Sequence, residues 1–247
     1  MEEKSTEHGN LIHCITNPIS MNQCANTILA LGARPIMAEH PDEVTEITKT
    51  ASSLLLNLGN ITETRITSMR LSLKEANSIG IPVTLDAVGV ACSSLRRNFV
   101  RLLMTTGKFT VIKGNYSEIL ALSDDTYKAS GVDAKDGIDP DLVSGAALGL
   151  AEATGAIVVA TGRTDIIASG KEITKVAGGT SRLSKVTGTG CMLGAVIATK
   201  LAEDNSVQSV ANSCAFFKEC GVRAKTDKGP GTFMVNLIDA IGGAYGF

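Results

Sequence analysis

Alternating glycines and threonines mark Val186-Thr187-Gly188-Thr189-Gly190-Cys191, which runs without interruption into the apolar helical segment Met192 to Leu201. Such alternation ahead of a helix start lets successive backbone N–H groups converge on one concavity, to which the helix dipole adds roughly half a positive charge. Gly188, Thr189 and Gly190 are thus the candidate donors of an anion hole that fits a phosphate. A side chain at Gly190 is expected to block the anion and to strain the backbone. Cys191 falls in the first helical turn, where the dipole is expected to lower a thiol's pKa and the sulfur to face the anion. The bland alternative is a glycine turn that only lets helix and strand pack closely.

Two further sets follow short apolar runs, at the edge where an open parallel sheet binds its ligands. After Thr110 to Ile112 comes Lys113-Gly114-Asn115-Tyr116-Ser117-Glu118. Asn115 and Glu118, spaced i and i+3, share one face of a starting helical turn and offer hard oxygens to the water shell of a magnesium ion. Taken alone, the pair reads equally as an N-cap followed by a first-turn glutamate. Asp86, in Leu85-Asp86-Ala87-Val88-Gly89, puts a carboxylate at another strand end. Three such features at three strand ends favour a ligand crevice over coincidence.

Other chemistries find no footing. The chain has no P-loop signature, no G-x-G-x-x-G after an early strand and no G-x-S-x-G, which speaks against P-loop NTPases, dinucleotide enzymes and α/β-hydrolases. His8, His13 and His40 lack zinc-ligand spacing and read as surface or satisfied polar residues. Of the six cysteines, the five besides Cys191 read as small buried hydrophobes, with Cys214 and Cys220 out of helical phase.

Positioning these groups requires a sheet. Ile12 to Ile15, Ile36 to Ala38, Leu54 to Leu56, Val83 to Leu85, Val111 to Ile112 and Ile157 to Ala160 read as buried strands alternating with helical segments. The helix over 62–80 has Thr62 as N-cap, Ile66, Met69, Leu73 and Ala76 at helical spacing, and Gly80 with Pro82 as its stop. Val143 to Gly162 approaches membrane-span length, but Gly155 divides it into a helix (Leu142 to Ala153) and a strand. An antiparallel hairpin follows, Ile166 to Ala168 and Ile173 to Val176, and Gly190 to Tyr245 reads as helices only. The expectation is an α/β fold with one mixed, mainly parallel sheet covered by helices on both faces, in a single domain over residues 1–247.

Composition bounds the partner. The 247 residues are 44% hydrophobic and 19% charged with formal charge -2, so no field favours nucleic acid or an anionic membrane. No tryptophan and 4% aromatics argue against base-stacking platforms. The polar, charged Met1 to Asn10 lacks the apolar core of a secretory signal, and no paired C-x-x-C occurs. A reduced, cytoplasmic protein acting on a small molecule is expected.

The residues also carry a resemblance. Ile15-Thr16-Asn17, Ala30-Leu31-Gly32-Ala33 with Pro35-Ile36-Met37-Ala38, Leu85-Asp86 with Val88-Gly89, Lys113-Gly114-Asn115 with Glu118, Val186 to Cys191, and Lys228-Gly229-Pro230-Gly231-Thr232-Phe233 resemble the hydroxyethylthiazole kinases, in order and over nearly the whole chain. These are ribokinase-like enzymes with a three-layer fold. Cys191 is diagnostic, because related kinases carry an aspartate base at that place. The resemblance implies ATP-dependent phosphorylation of the primary alcohol of 4-methyl-5-(2-hydroxyethyl)thiazole in thiamine salvage, with Mg2+ and a homotrimer whose active sites lie at subunit contacts. It implies Asn17, Met37 and Gly188 around the alcohol, Lys113 and Thr161 on ATP, Asp86, Asn115 and Glu118 around the metal, and Cys191 as the catalytic residue. Two departures stand out. Ala87 replaces the family's usual proline, and Lys113 replaces an arginine, a point charge for a planar fork. Other readings are a kinase of another small alcohol, such as a sugar or pyrimidine, and a catalytically slow thiazole- or nucleotide-binding protein. A cysteine-nucleophile enzyme is a third, which lacks a motif placing histidine beside the loop.

Overall fold

A computed structural model describes residues 9–124, 126–127 and 137–246. His8 and most of the stretch Met1 to Asn10 lie outside the described residues. Six parallel strands, β1 (Leu11–Ile15), β2 (Arg34–Ile36), β3 (Ser53–Asn57), β4 (Val83–Asp86), β5 (Val111–Asn115) and β6 (Ile157–Thr161), continue into antiparallel β7 (Asp165–Ser169) and β8 (Glu172–Val176). Their order is β2-β1-β3-β4-β5-β6-β7-β8. The mixed, mainly parallel sheet and its hairpin thus match the sequence expectation.

Alternation divides the strand residues between two cores. Leu54, Leu56, Ile112 and Val158 face one layer, with α2 (Val44–Thr50), α3 (Glu63–Ile79), α4 (Ser94–Thr106), α5 (Tyr116–Ser123) and α6 (Pro140–Thr154). Leu55, Val111 and Val159 face the other, with α1 (Met21–Ala30), α7 (Thr189–Leu201), α8 (Val207–Arg223) and α9 (Pro230–Gly242). Every residue of β3 and β4 is buried, as both faces of a parallel sheet covered by helices require.

Helix ends follow their caps. Thr62 accepts from the Arg65 N–H and Gly80 is left-handed, as expected for α3. Asp139 caps α6, Pro140 opens it and Gly155 closes it at φ 70. Two expectations need correction. The strand placed at Ile36 to Ala38 ends at Ile36, because the Ala38 carbonyl turns to the His13 ring (2.9 Å) instead of extending the ladder. Pro35 fits because β2 is an edge strand. Cys92 is exposed, lying in the loop before α4, whereas Cys14, Cys24, Cys214 and Cys220 are buried.

The chain leaves β1 for β2 on one side and reaches β3 on the other. This reversal opens a crevice at the carboxyl ends of β1 and β3. Among the described residues no helix is long and apolar enough to cross a membrane.

Nothing lies within 4 Å of the position a Cβ at Gly155 would occupy, so Gly155→Ala introduces backbone strain alone. The expected cost is about 1 kcal/mol, a fall of about 2–4 °C in Tm. A calorimetric Tm equal to that of the parent protein would contradict this account of the α6 stop.

Candidate active site

Register builds the site. Asn57 pairs with Asp86 across β3 and β4, and Asp86 pairs with Lys113 across β4 and β5. Paired residues point to the same face, so three polar side chains stand in a row at the sheet's carboxyl edge. Lys113 Nζ donates to Asp86 Oδ1 at 2.8 Å, and Asn57 Nδ2 donates to Asp86 Oδ2 at 2.8 Å. Burial pushes the Asp86 carboxyl up, against the Lys113 ammonium and the Asn57 amide. Both of its partners are donors, which favours the anion. Burial lowers Lys113, but the Asp86 charge outweighs it and holds the ammonium above its ordinary value. Because Nζ engages a single oxygen, the second is left for Asn57.

Above this row stands the amino terminus of α7. Gly188 is its N-cap at φ 93, a left-handed conformation natural to glycine. The strained position is therefore Gly188, and Gly190 is an exposed first-turn residue whose added Cβ would have Lys113 Nζ nearest, at 3.9 Å. Thr189 Oγ1 donates back to the Leu183 carbonyl at 2.6 Å, closing the loop. Its hydroxyl is spent on structure, which leaves the anion to the first-turn N–H groups that lack an intrahelical acceptor.

Cys191 is half-buried, and Asn17 Nδ2 donates to its sulfur at 3.6 Å. Beside it stands the Ser20 hydroxyl, buried without a well-aligned partner of its own. Its pKa is raised, contrary to the expected lowering. Burial is the first cause and the Asp86 anion the second, and together they outweigh the nearby donors. Met37 and Cys191 both pack on one buried cluster, which includes Cys24 and Ile28.

Glu118 and Asn115 form a reciprocal capping box at the start of α5. Asn115 Oδ1 accepts from the Glu118 N–H at 2.9 Å, and Glu118 Oε2 accepts from the Asn115 N–H at 2.7 Å. The other oxygen, Oε1, accepts from the Gly89 N–H at 2.7 Å, tying the loop after β4 to α5. Gly114 is needed here, since a Cβ would come within 2.9 Å of the Glu118 Cβ. Burial pushes the Glu118 carboxyl up to about 7, against these two backbone donors. Thr161 sits further along the edge, donating to the Gly114 carbonyl at 3.2 Å. Among the described residues, no three His, Cys, Asp or Glu side chains gather to hold a metal directly.

The profile of the hydroxyethylthiazole kinase family matches residues 3–243. The chain belongs to that family. It is 43% identical over 238 residues to hydroxyethylthiazole kinase 2 of Clostridium botulinum (strain 657 / Type Ba4), covering 94% of this chain and 89% of the relative. It is 41% identical over 246 residues to the hydroxyethylthiazole kinase of Alkaliphilus metalliredigens, covering 97% and 89%. The solved hydroxyethylthiazole kinase protein of Pyrococcus horikoshii OT3 superposes with TM-score 0.83 at 30% identity, over 94% of this chain and 87% of that one. A pyridoxal kinase of Bacillus subtilis shares the fold alone, with TM-score 0.64 at 14% identity over 90% and 94% of the two chains. The three-layer ribokinase-like architecture expected for the family is the one observed.

Two contributors were not foreseen. Asn57 is one, and its signal was a polar residue closing an otherwise apolar run, as Asp86 closes the next strand. The other is Arg96, which bridges the Gly59 and Val88 carbonyls at 2.7 and 3.1 Å and so ties the loops after β3 and β4.

Lys113→Met leaves the Asp86 anion buried with one donor, and the expected loss is about 3–5 kcal/mol. Adding Asp86→Asn should restore most of it, and equal denaturation midpoints for the single and double variants would refute the pairing. For the metal-free protein, Glu118 makes a pH prediction. Its carboxyl is raised from an ordinary 4.5 to about 7, so the native state holds the proton more tightly than the unfolded chain. Its stabilising contribution is full below pH 4.5 and is lost as pH rises through about 7. Urea titrations across that window should show a decline that Glu118→Gln flattens, and an unchanged slope would refute it.

Proposed function

We propose that the protein transfers the γ-phosphoryl group of ATP to the primary alcohol of 4-methyl-5-(2-hydroxyethyl)thiazole, and that Cys191 takes the alcohol's proton. One observation carries the reading: the Cys191 thiol and the amide cradle share the head of α7, directly above the buried Asp86–Lys113 pair. The family supports the reaction. The apolar cluster on which Met37 packs suits a thiazole ring better than a polyol.

Phosphoryl transfer passes through a loose transition state with charge on the γ-oxygens, so positioning and the N–H cradle dominate. Little proton leaves the alcohol until late, when its oxygen has become strongly acidic. A base active only in its ionised fraction therefore suffices, which agrees with the raised pKa of Cys191. In this reading Met37 and Gly188 border the alcohol, while Lys113 and Thr161 contact ATP. Asp86 and Glu118, whose charges sense one another, fit a magnesium ion that keeps its waters, with Asn115 orienting Glu118. The ion would neutralise charge on the phosphate oxygens. A homotrimer with active sites at subunit contacts belongs to the same proposal, supported by Ile19, which is 62% exposed two residues from Asn17. So does a single kinase domain, supported by the one eight-stranded sheet. Cytoplasmic residence is supported by six free thiols.

A coupled assay of ADP formation over a panel of small alcohols tests the substrate. The thiazole alcohol should give the highest kcat/KM, and a preferred sugar would overturn the assignment. With it, Cys191→Asp should retain substantial activity and lose the rise of kcat with pH expected of the wild type above neutrality. Cys191→Ser and Cys191→Ala should fall about 10²-fold in kcat with ATP binding intact. A folded, ligand-binding but inactive Cys191→Asp would refute the proton-acceptor role.

Glu118→Gln should lower kcat strongly while the alcohol still binds, because a neutral amide organises a hydrated cation poorly. An unchanged dependence of kcat on magnesium concentration would refute that placement.

A further inference from the structure

We propose that Asn17 and Asn57 are positioning residues whose amides, each locked in one orientation by a backbone N–H, join Cys191 to the Asp86–Lys113 pair in a single polarised row. The inference rests on the reading that Cys191 serves the alcohol.

Orientation follows from counting donors and acceptors. The Gly59 N–H donates to Asn57 Oδ1 at 2.9 Å, so the Asn57 NH2 group must be the end that faces Asp86 Oδ2 at 2.8 Å. Flipping the amide would set its oxygen against the carboxylate and its hydrogens against an N–H. The Ser20 N–H donates to Asn17 Oδ1 at 3.2 Å, which turns the Asn17 NH2 group inward. One of its hydrogens reaches Asn57 Oδ1 at 2.9 Å, and the other reaches Cys191 Sγ at 3.6 Å. Both lone pairs of Asn57 Oδ1 are then used. Both amide hydrogens of Asn17 are committed too, one to Asn57 and one to the sulfur.

Neither amide can relax into water, since Asn17 is 4% and Asn57 0% exposed. In such surroundings a hydrogen-bonded row is strengthened by its own polarisation, and its loss is costly. The chain also leaves room for the row. A Cβ on Gly59 would stand 2.4 Å from Asn17 Nδ2 and 2.9 Å from Asn57 Oδ1. Gly59 does not have a left-handed φ, so the absence of a side chain there serves the two amides rather than the backbone. The row always presents a donor to the sulfur. It fixes where the sulfur sits and supports the negative charge of the thiolate until it takes the proton.

The test combines Asn17→Leu, Asn57→Leu and Gly59→Ala with Cys191→Ala, reading kcat and KM for the thiazole alcohol and ATP. In the wild-type background each of the three should lower kcat about tenfold or more with both KM values within threefold. In the Cys191→Ala background, Asn17→Leu should lower kcat less than threefold further, because the residue it acts through is gone. Multiplicative losses in that background overturn the row while leaving the Cys191 reading intact. Full turnover by Cys191→Ala alone overturns that reading and the row's role with it. Should a leucine variant fail to fold, Gly59→Ala decides alone, since its methyl crowds both the Asn17 amide and Asn57 Oδ1 without removing either side chain, and wild-type kcat in that variant overturns the proposal.

Discussion

An aspartate fully enclosed by protein must keep its charge or lose its purpose, and the surroundings of Asp86 decide which. Lys113 supplies a cation to one oxygen and Asn57 a donor to the other, and neither can accept a proton from it. Desolvating such a pair costs several kcal/mol per ion before the mutual attraction offsets it. The arrangement is therefore a poor route to stability and a good one to function. It holds a fixed dipole at the sheet's carboxyl edge, beneath the positive end of a 13-residue helix.

The rest of the architecture keeps that dipole in place. Parallel pairing brings the last residues of β3, β4 and β5 side by side, and the reversal between β1 and β3 brings the Asn17 loop over them. Bridges between successive loops then stiffen the crevice: Arg96 across the Gly59 and Val88 carbonyls, and Glu118 from α5 to Gly89. Helix α7 closes the site from above, with Gly194 facing Asp86, where a Cβ would stand in ordinary contact with Oδ2 at 3.5 Å.

What the sequence made legible was whatever depends on local pattern. Buried parallel strands are apolar runs, so β1, β3, β4, β5 and β6 could be placed, and Thr62 and Gly80 bounded α3 by their capping chemistry. Asp86, Lys113, Glu118 and Cys191 stood out because each follows or opens an element at the edge where ligands bind. Asn57 closes its strand in the same way, but its role depends on pairing with Asp86, a register that no local pattern encodes. The direction of the Cys191 shift failed for a related reason: the dipole belongs to the helix, but burial and the Asp86 charge come from elements far away in sequence. Asn115 bears out its capping reading, its capping box now seen to orient Glu118.

The account depends most directly on the charge state of Asp86. Infrared difference spectra between the wild type and Asp86→Asn, recorded metal-free at neutral pH, report that state without any turnover. The structure predicts that the difference contains the stretching bands of one ionised carboxylate. A band from one protonated carboxylic acid in its place would contradict the ion pair and the row of amides built on it.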